Sequence, residues 1–334
     1  MKRFILRRVL MMIPTLIVIS MVSFIIIQLP PGDFLTTIVA NMQDQGASVD
    51  NALLESLKHR YGLGQPVWVQ YWKWISGILL RGDFGMSFRW NQPVGKLIWS
   101  QLGLTFMLSL TTLLFTWILA LPIGIYSAVR QYSIGDYIAT FFGFIGLAIP
   151  SFMLALVLMY VSFKYFNQSV GGLFSPEFMD APWSFGRVWD LLKHLWIPVI
   201  VIGANGTASL IRIMRANLLD ELKKTYVMAA RARGLKEIDL LLKYPVRVAI
   251  NPFISTIGWS LPLLVSGTTV TAIVLSLPTT GPMLINSLKS QDMFLAGGFI
   301  LMLSTLTVIG TLLSDLLLVA VDPRIRYVET GKAS

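Results

Sequence analysis

Six stretches of this sequence contain no Asp, Glu, Lys or Arg: residues 9–29, 104–129, 138–163, 195–210, 254–285 and 293–313. A helix needs about 20 predominantly apolar residues to cross the hydrocarbon core of a bilayer, and all but the fourth run reach that length unaided. Irregular backbone cannot face lipid, because its unpaired polar groups have no water to bond. A chain with several such runs therefore folds as membrane helices. The composition agrees: 55% of the 334 residues are hydrophobic and 13% charged, where globular chains average about 25% charged. The expected fold is all-α integral membrane, with six transmembrane helices.

The first run follows Lys2, Arg3, Arg7 and Arg8. A cleaved signal peptide starts similarly, but its apolar region is about 7–15 residues and closes on small residues. This run is longer and ends in Gln28-Leu29-Pro30-Pro31-Gly32-Asp33, so an uncleaved first span is expected. The fifth run exceeds one span, and is expected to cross to about Leu275 and then turn. Six spans leave both termini on one side. Residues 1–8, 130–137, 212–251 and 322–334 hold 17 of the 27 Lys and Arg, which makes them the cytoplasmic pieces under the positive-inside rule. The net charge of +10 then reads as orientation and contact with membrane lipid, with no call for nucleic acid.

Enzyme chemistry finds few parts. With no cysteine and two histidines, His59 and His194, thiol chemistry is absent and histidine sites are scarce. There is no HExxH, GxSxG or P-loop; Gly95-Lys96 lacks both the earlier glycine and the following hydroxyl. An aspartyl dyad needs two buried acids, and Asp315 stands alone, near Arg324 and Arg326 as an expected local ion pair. Asn205 is the other polar residue of note within the spans. So few ionisable groups also leave little with which to couple transport to protons or sodium.

Two polar segments remain. Residues 31–101 carry Trp68, Tyr71, Trp72 and Trp74, then Trp90 and Trp99. Such a cluster suits a helix lying at the membrane interface, where Trp and Tyr concentrate; direct solute contact is the other reading. In residues 212–251, Asp220 and Glu221 are expected to open a helix that runs to Arg233 and stops at Gly234, a suitable left-handed cap. A second helix from Leu235 to Tyr244 is broken by Pro245. The pattern fits a solvated hairpin. It also fits a docking element, since small Ala229 and Ala230 beside a turn glycine let a partner's groove close over the backbone.

Tyr226-Val227-Met228-Ala229-Ala230-Arg231-Ala232-Arg233-Gly234-Leu235 resembles the "EAA" coupling motif of bacterial ATP-binding-cassette importers, in the form of the dipeptide/oligopeptide permease (DppB/OppB-type) branch. The likeness spans nearly the whole chain. It includes Phe4-Ile5-Leu6-Arg7-Arg8-Val9-Leu10 through Pro30-Pro31-Gly32-Asp33, and Tyr61-Gly62-Leu63-Gly64-Gln65-Pro66-Val67. Arg81-Gly82-Asp83-Phe84-Gly85-Met86-Ser87, Ile149-Pro150-Ser151-Phe152 and Asp322-Pro323-Arg324-Ile325-Arg326 match in order as well.

The resemblance implies a type I ABC importer permease subunit in the cytoplasmic (inner) membrane, multi-pass, with both termini cytoplasmic. It would comprise residues 1–103 (first helix plus external segment), a five-helix core at 104–322 with the coupling hairpin 212–251, and a tail at 323–334. It implies three kinds of partner: a second homologous permease subunit in a heterodimer, two cytoplasmic ABC ATPase subunits, and an external solute-binding protein. ATP and Mg would sit in the ATPases, with no cofactor in this chain. Tyr226, Ala229, Ala230, Arg231, Gly234 and Leu235 would carry the coupling. Met228 stands where the wider motif has glutamate, Ala272 where an acid is common, and Leu275-Ser276-Leu277-Pro278-Thr279-Thr280-Gly281 replaces a glycine-rich turn. The branch handles peptides, nickel, opines and oligosaccharides. A stand-alone secondary transporter or channel is the reading from a different class, and a membrane scaffold a third.

Overall fold

The computed structural model describes residues 2–28, 64–87, 89–166, 171–179, 181–255 and 269–321. The chain divides into two compact units, residues 7–104 with 279–308, and residues 1–6, 105–278 and 309–334. Four described helices are long and apolar enough to cross a membrane: Leu6–Gln28, Val94–Val129, Phe185–Leu222 and Met293–Ala320.

In the first unit, α1 (Lys2–Gln28) buries Ser20, Ser23, Phe24 and Ile27 and leaves Val18, Met21, Val22 and Ile25 exposed. Against the buried face lies α2 (Val67–Arg81). The Phe24 ring meets Tyr71 edge-on at 5.6 Å and Trp74 at 5.7 Å, and the Ser20 and Tyr71 hydroxyls are 2.7 Å apart. Trp68 and Trp72 stand on the opposite face, exposed. The tryptophans of the cluster therefore split between core and surface, as a helix repeat requires.

The motif that follows α2 reads as a series of backbone requirements. Gly82 takes a left-handed φ of 65° and closes the helix as an αL cap, with its N–H on the Ile78 carbonyl, while the Asp83 N–H bonds the Gly77 carbonyl. The Asp83 carboxylate accepts the Gly85 N–H at 3.0 Å. Gly85, at φ 100°, lies so close to the Phe294 ring that a Cβ would come within 2.9 Å. A short hairpin follows, β1 (Met86–Ser87) with β2 (Gln92–Pro93), antiparallel.

Asp292, 1% exposed, holds this hairpin. It accepts the Ser87 hydroxyl at 2.5 Å and the Leu295 N–H at 3.3 Å, and so also caps the start of α12 (Met293–Val321). Replacing Asp292 with alanine is expected to cost about 2 kcal/mol, since buried donors lose their acceptor. Limited proteolysis should then cut first near residues 86–93.

The second unit is built on α6 (Phe185–Leu222), whose 38 residues span about 57 Å at the helical rise. It packs with α4 (Ile134–Ala148), α5 (Ser151–Phe166) and α9 (Pro245–Ala249). Its buried face includes Leu210, Met214 and Leu218, clustered with Ala120, Ala128 and Phe253. At Gly124 of α3 (Val94–Val129) a Cβ would fall 2.6 Å from Met214 Cβ and 3.1 Å from the Ile211 carbonyl. Helix α10 (Thr269–Val274) packs on α5, with the Ser151 and Thr271 hydroxyls 2.8 Å apart. Ala272 is buried.

One expectation changes. The run 138–163 is not one straight span: α4 and α5 meet at 102°. Pro150 cannot donate to the helix ladder and drives the preceding residue to extended geometry. Ile149 sits at φ −82°, ψ 122°, and the Pro150 carbonyl then restarts the helix by accepting the Met153 N–H. The count of six crossings is not confirmed: the described residues contain four long apolar helices and this bent pair. Much of the fifth run, residues 256–268, lies outside the described residues, as do His59, Arg324 and Arg326. Beyond it the expected turn is present, with Ser276 at φ 52° and then α11 (Thr280–Lys289). His194 is a helical residue of α6 that is 5% exposed, its Nδ1 2.8 Å from the Asp190 carbonyl.

Candidate coupling hairpin

Helix α6 ends at Leu222, and α7 (Thr225–Ala232) begins after a break at Lys223 and Lys224. Asp220 and Glu221 therefore close α6 instead of opening the hairpin helix. The break has a packing reason. It turns Leu222 and α7 toward each other, so that Leu222 joins Val227, Ala230, Leu240 and Tyr244 in one small cluster. A straight continuation would carry Val227 away from it. Glu221 then holds the corner from the α6 side, accepting the Tyr226 hydroxyl at 2.5 Å and the Lys224 ammonium at 3.2 Å.

Gly234 ends the first arm at φ 75°, its N–H on the Arg231 carbonyl at 3.0 Å. Nothing lies within 4 Å of where its Cβ would be. Glycine is needed there for the left-handed backbone alone. Helix α8 (Glu237–Lys243) forms the second arm, and Pro245 opens α9 at a position where no amide donor is missed.

Arg231 spans the two arms. Its Nε donates to Glu237 at 3.2 Å and a terminal nitrogen donates to the other carboxylate oxygen. That hydrogen bond to the guanidinium holds the Glu237 carboxyl below the ordinary carboxylate range. A depressed carboxylate adds stability above its unfolded pKa and loses it as pH falls through the folded value. Acidification below the usual carboxylate range is thus expected to loosen the hairpin tip. Both side chains are half exposed, so the effect is small and salt-sensitive. Amide exchange at 233–240, compared at neutral and acidic pH after correction for intrinsic rates, reads it.

The six residues singled out by sequence do not share one environment. Ala230 is 7% exposed and belongs to the hairpin's own core. Tyr226, Ala229, Arg231, Gly234 and Leu235 are exposed. Met228, Ile238 and Leu242, at 53–61% exposure, widen the apolar outer face.

Sequence reasoning missed one pair close by. Asp136, 2% exposed, receives Arg215 of α6 through two hydrogen bonds, Nε to Oδ1 at 2.9 Å and a terminal nitrogen to Oδ2 at 2.8 Å. Asp136 also accepts the Tyr132 N–H at 2.9 Å, while its own N–H bonds the Ser133 hydroxyl at 3.2 Å. The legible signal was Ser133-x-x-Asp136, a capping-box spacing. The ion pair joins the start of α4 to the α6 arm that carries the hairpin. Among the described residues no three His, Asp or Glu side chains converge as metal ligands.

Residues 120–327 match the family model described as "Binding-protein-dependent transport system inner membrane component". Residues 1–111 match the N-terminal model of such membrane components. The oligopeptide transport system permease protein AppB of Bacillus subtilis is 35% identical over 331 residues, 98% of this chain and 100% of its own length. The dipeptide transport system permease protein DppB of Escherichia coli K12 is 30% identical, over 98% of this chain and 99% of its own. The nickel import system permease protein NikB of Staphylococcus aureus is 29% identical, over 96% and 91%. With both models and full-length relatives in agreement with its apolar helices, the chain belongs to the inner membrane components of binding-protein-dependent transport systems.

Proposed function

We propose that this chain is the permease subunit of an ATP-driven peptide importer, and that the α7–α8 hairpin is where the ATPases grip it. One observation carries the coupling role: the hairpin has a core of its own in Val227, Ala230 and Leu240, yet presents an apolar outer face to solvent. A merely solvated loop has no need of exposed Tyr226, Met228, Leu235 and Ile238 together; so many exposed large apolar side chains on one short hairpin support an interaction site. Peptide is the preferred solute because relatives at 30–35% identity are named for oligopeptide and dipeptide transport, ahead of the nickel relative.

In this reading both termini are cytoplasmic, a second homologous permease completes the pathway, and an external solute-binding protein delivers the peptide. ATP and Mg²⁺ bind in two ATPase subunits. Their closure draws the hairpins together, and α6 carries that movement into the bundle. Such a drive works only if the ATPases hold the two states with different affinity.

The test uses co-expressed ATPases. Ala229→Trp places bulk on the exposed face and is expected to leave folding intact while lowering ATPase capture about tenfold, a loss of roughly 1.4 kcal/mol. Ala230→Trp overpacks the hairpin core and is expected to lower the folded yield itself, by about 1–3 kcal/mol of stability. Equal capture by wild type and Ala229→Trp overturns the docking role. Peptide uptake by the isolated chain in liposomes without any ATPase overturns the ATP-driven reading.

A further inference from the structure

Helices α3, α4 and α6 enclose a cleft of about 800 Å³ within the second unit. Its floor is made of small side chains, Ala139 and Gly143 on α4 with Ala204 and Ala208 on α6. Gly143 is the informative one. Nothing lies within 4 Å of its missing Cβ, so no neighbour in this chain demands a glycine there, although glycine in a helix interior costs about 1 kcal/mol relative to alanine. A second observation is polar. The Thr207 side chain lines the cleft at 9% residue exposure, and its hydroxyl has no hydrogen-bond partner.

The charges at one end identify the occupant. On α3 the row that lines the cleft runs through Phe115, Leu119, Pro122 and Tyr126, and one turn further along the same row stands Arg130. On α6 the row Ile200, Ala204 and Ala208 continues into Arg212, with Arg215 beyond. Asp136, the acid at this end, is taken by Arg215. Arg130 and Arg212 are exposed and have no acidic partner among the described residues.

We propose that this cleft binds an anionic phospholipid, with acyl chains along Gly143 and Ala204 and the phosphate between Arg130 and Arg212. Thr207 lies five residues deeper on α6 than Arg212, about 7.5 Å along the axis. At that depth the acyl chains run along the small-residue floor, with the Thr207 hydroxyl itself buried. A transmembrane helix from a partner protein would also suit small residues, but its apolar surface has no use for two unneutralised arginines at the rim.

The probe is phosphatidylglycerol with a photoactivatable acyl chain, added in trace to phosphatidylcholine nanodiscs. These hold the full-length chain purified with its co-expressed partner subunits. Mass spectrometry should find labelled peptides at 138–146 and 200–211. Unlabelled phosphatidylglycerol should compete about thirtyfold better than phosphatidylcholine, since each basic side chain near an anionic surface contributes roughly a factor of five. Arg130→Gln with Arg212→Gln should bring the two competitors close to parity. Gly143→Phe should remove the labelling while gel filtration of the complex is unchanged. Equal competition by both lipids in the wild type overturns the proposal, leaving ordinary annular lipid. So does the absence of labelling together with cross-linking of the Gly143→Cys variant to another subunit, which assigns the cleft to a protein helix.

Discussion

Replacing Arg215 with alanine is expected to destabilise the second unit by about 3 kcal/mol, the range seen when one partner of a buried ion pair is removed. Asp136, 2% exposed in the intact protein, would keep the Tyr132 N–H and lose its cation. The cost therefore comes from the stranded charge more than from the lost attraction. Asp136→Asn combined with Arg215→Gln should recover most of it, because two neutral amides leave no uncompensated charge. Thermal unfolding of the purified protein in detergent, followed by gel filtration, reads both variants. If Arg215→Ala and the double variant unfold at the same temperature, the pair is not what fastens α4 to α6.

Gly124→Leu is the second large effect. The missing Cβ would sit 2.6 Å from Met214 Cβ and 3.1 Å from the Ile211 carbonyl. Those neighbours are a helix backbone and an atom attached directly to it, so neither can swing aside. The crossing of α3 and α6 must open, at a cost of about 3 kcal/mol, the upper part of the range for overpacked sites. Gly143→Leu is the matched control. It places the same side chain on a helix glycine with nothing within 4 Å, and is expected to shift the unfolding temperature little. A loss of stability at Gly143 equal to that at Gly124 would overturn the account of the crossing.

Much was legible in the residue order. The uncharged runs announced membrane helices, and the described structure places long helices on four of them because no other backbone suits lipid. The stop at Gly234 and the restart at Pro245 were readable because each depends on one residue's own torsion angles. The bend at Ile149 and Pro150 was equally local, yet was missed, because a membrane proline is often absorbed within one span. The end of α6 at Leu222 was not readable at all. Asp220 and Glu221 favour a helix start by their charge, but a weak local preference yields to the packing of Leu222 with Val227, Ala230 and Leu240.

The sequence alone determined that this chain lives in a membrane, which loops are basic, and which family's motifs it carries. Each of these depends on composition and spacing, which survive without a fold. Tertiary structure decided which face of a motif is free. Ala229 and Ala230 are adjacent and chemically identical, yet one meets solvent and the other the hairpin core, because successive helix positions turn about 100° apart. It also decided that Asp136 and Arg215, 79 positions apart, share two hydrogen bonds. No pattern within either segment contains that pairing, since it exists only where α4 and α6 pack together.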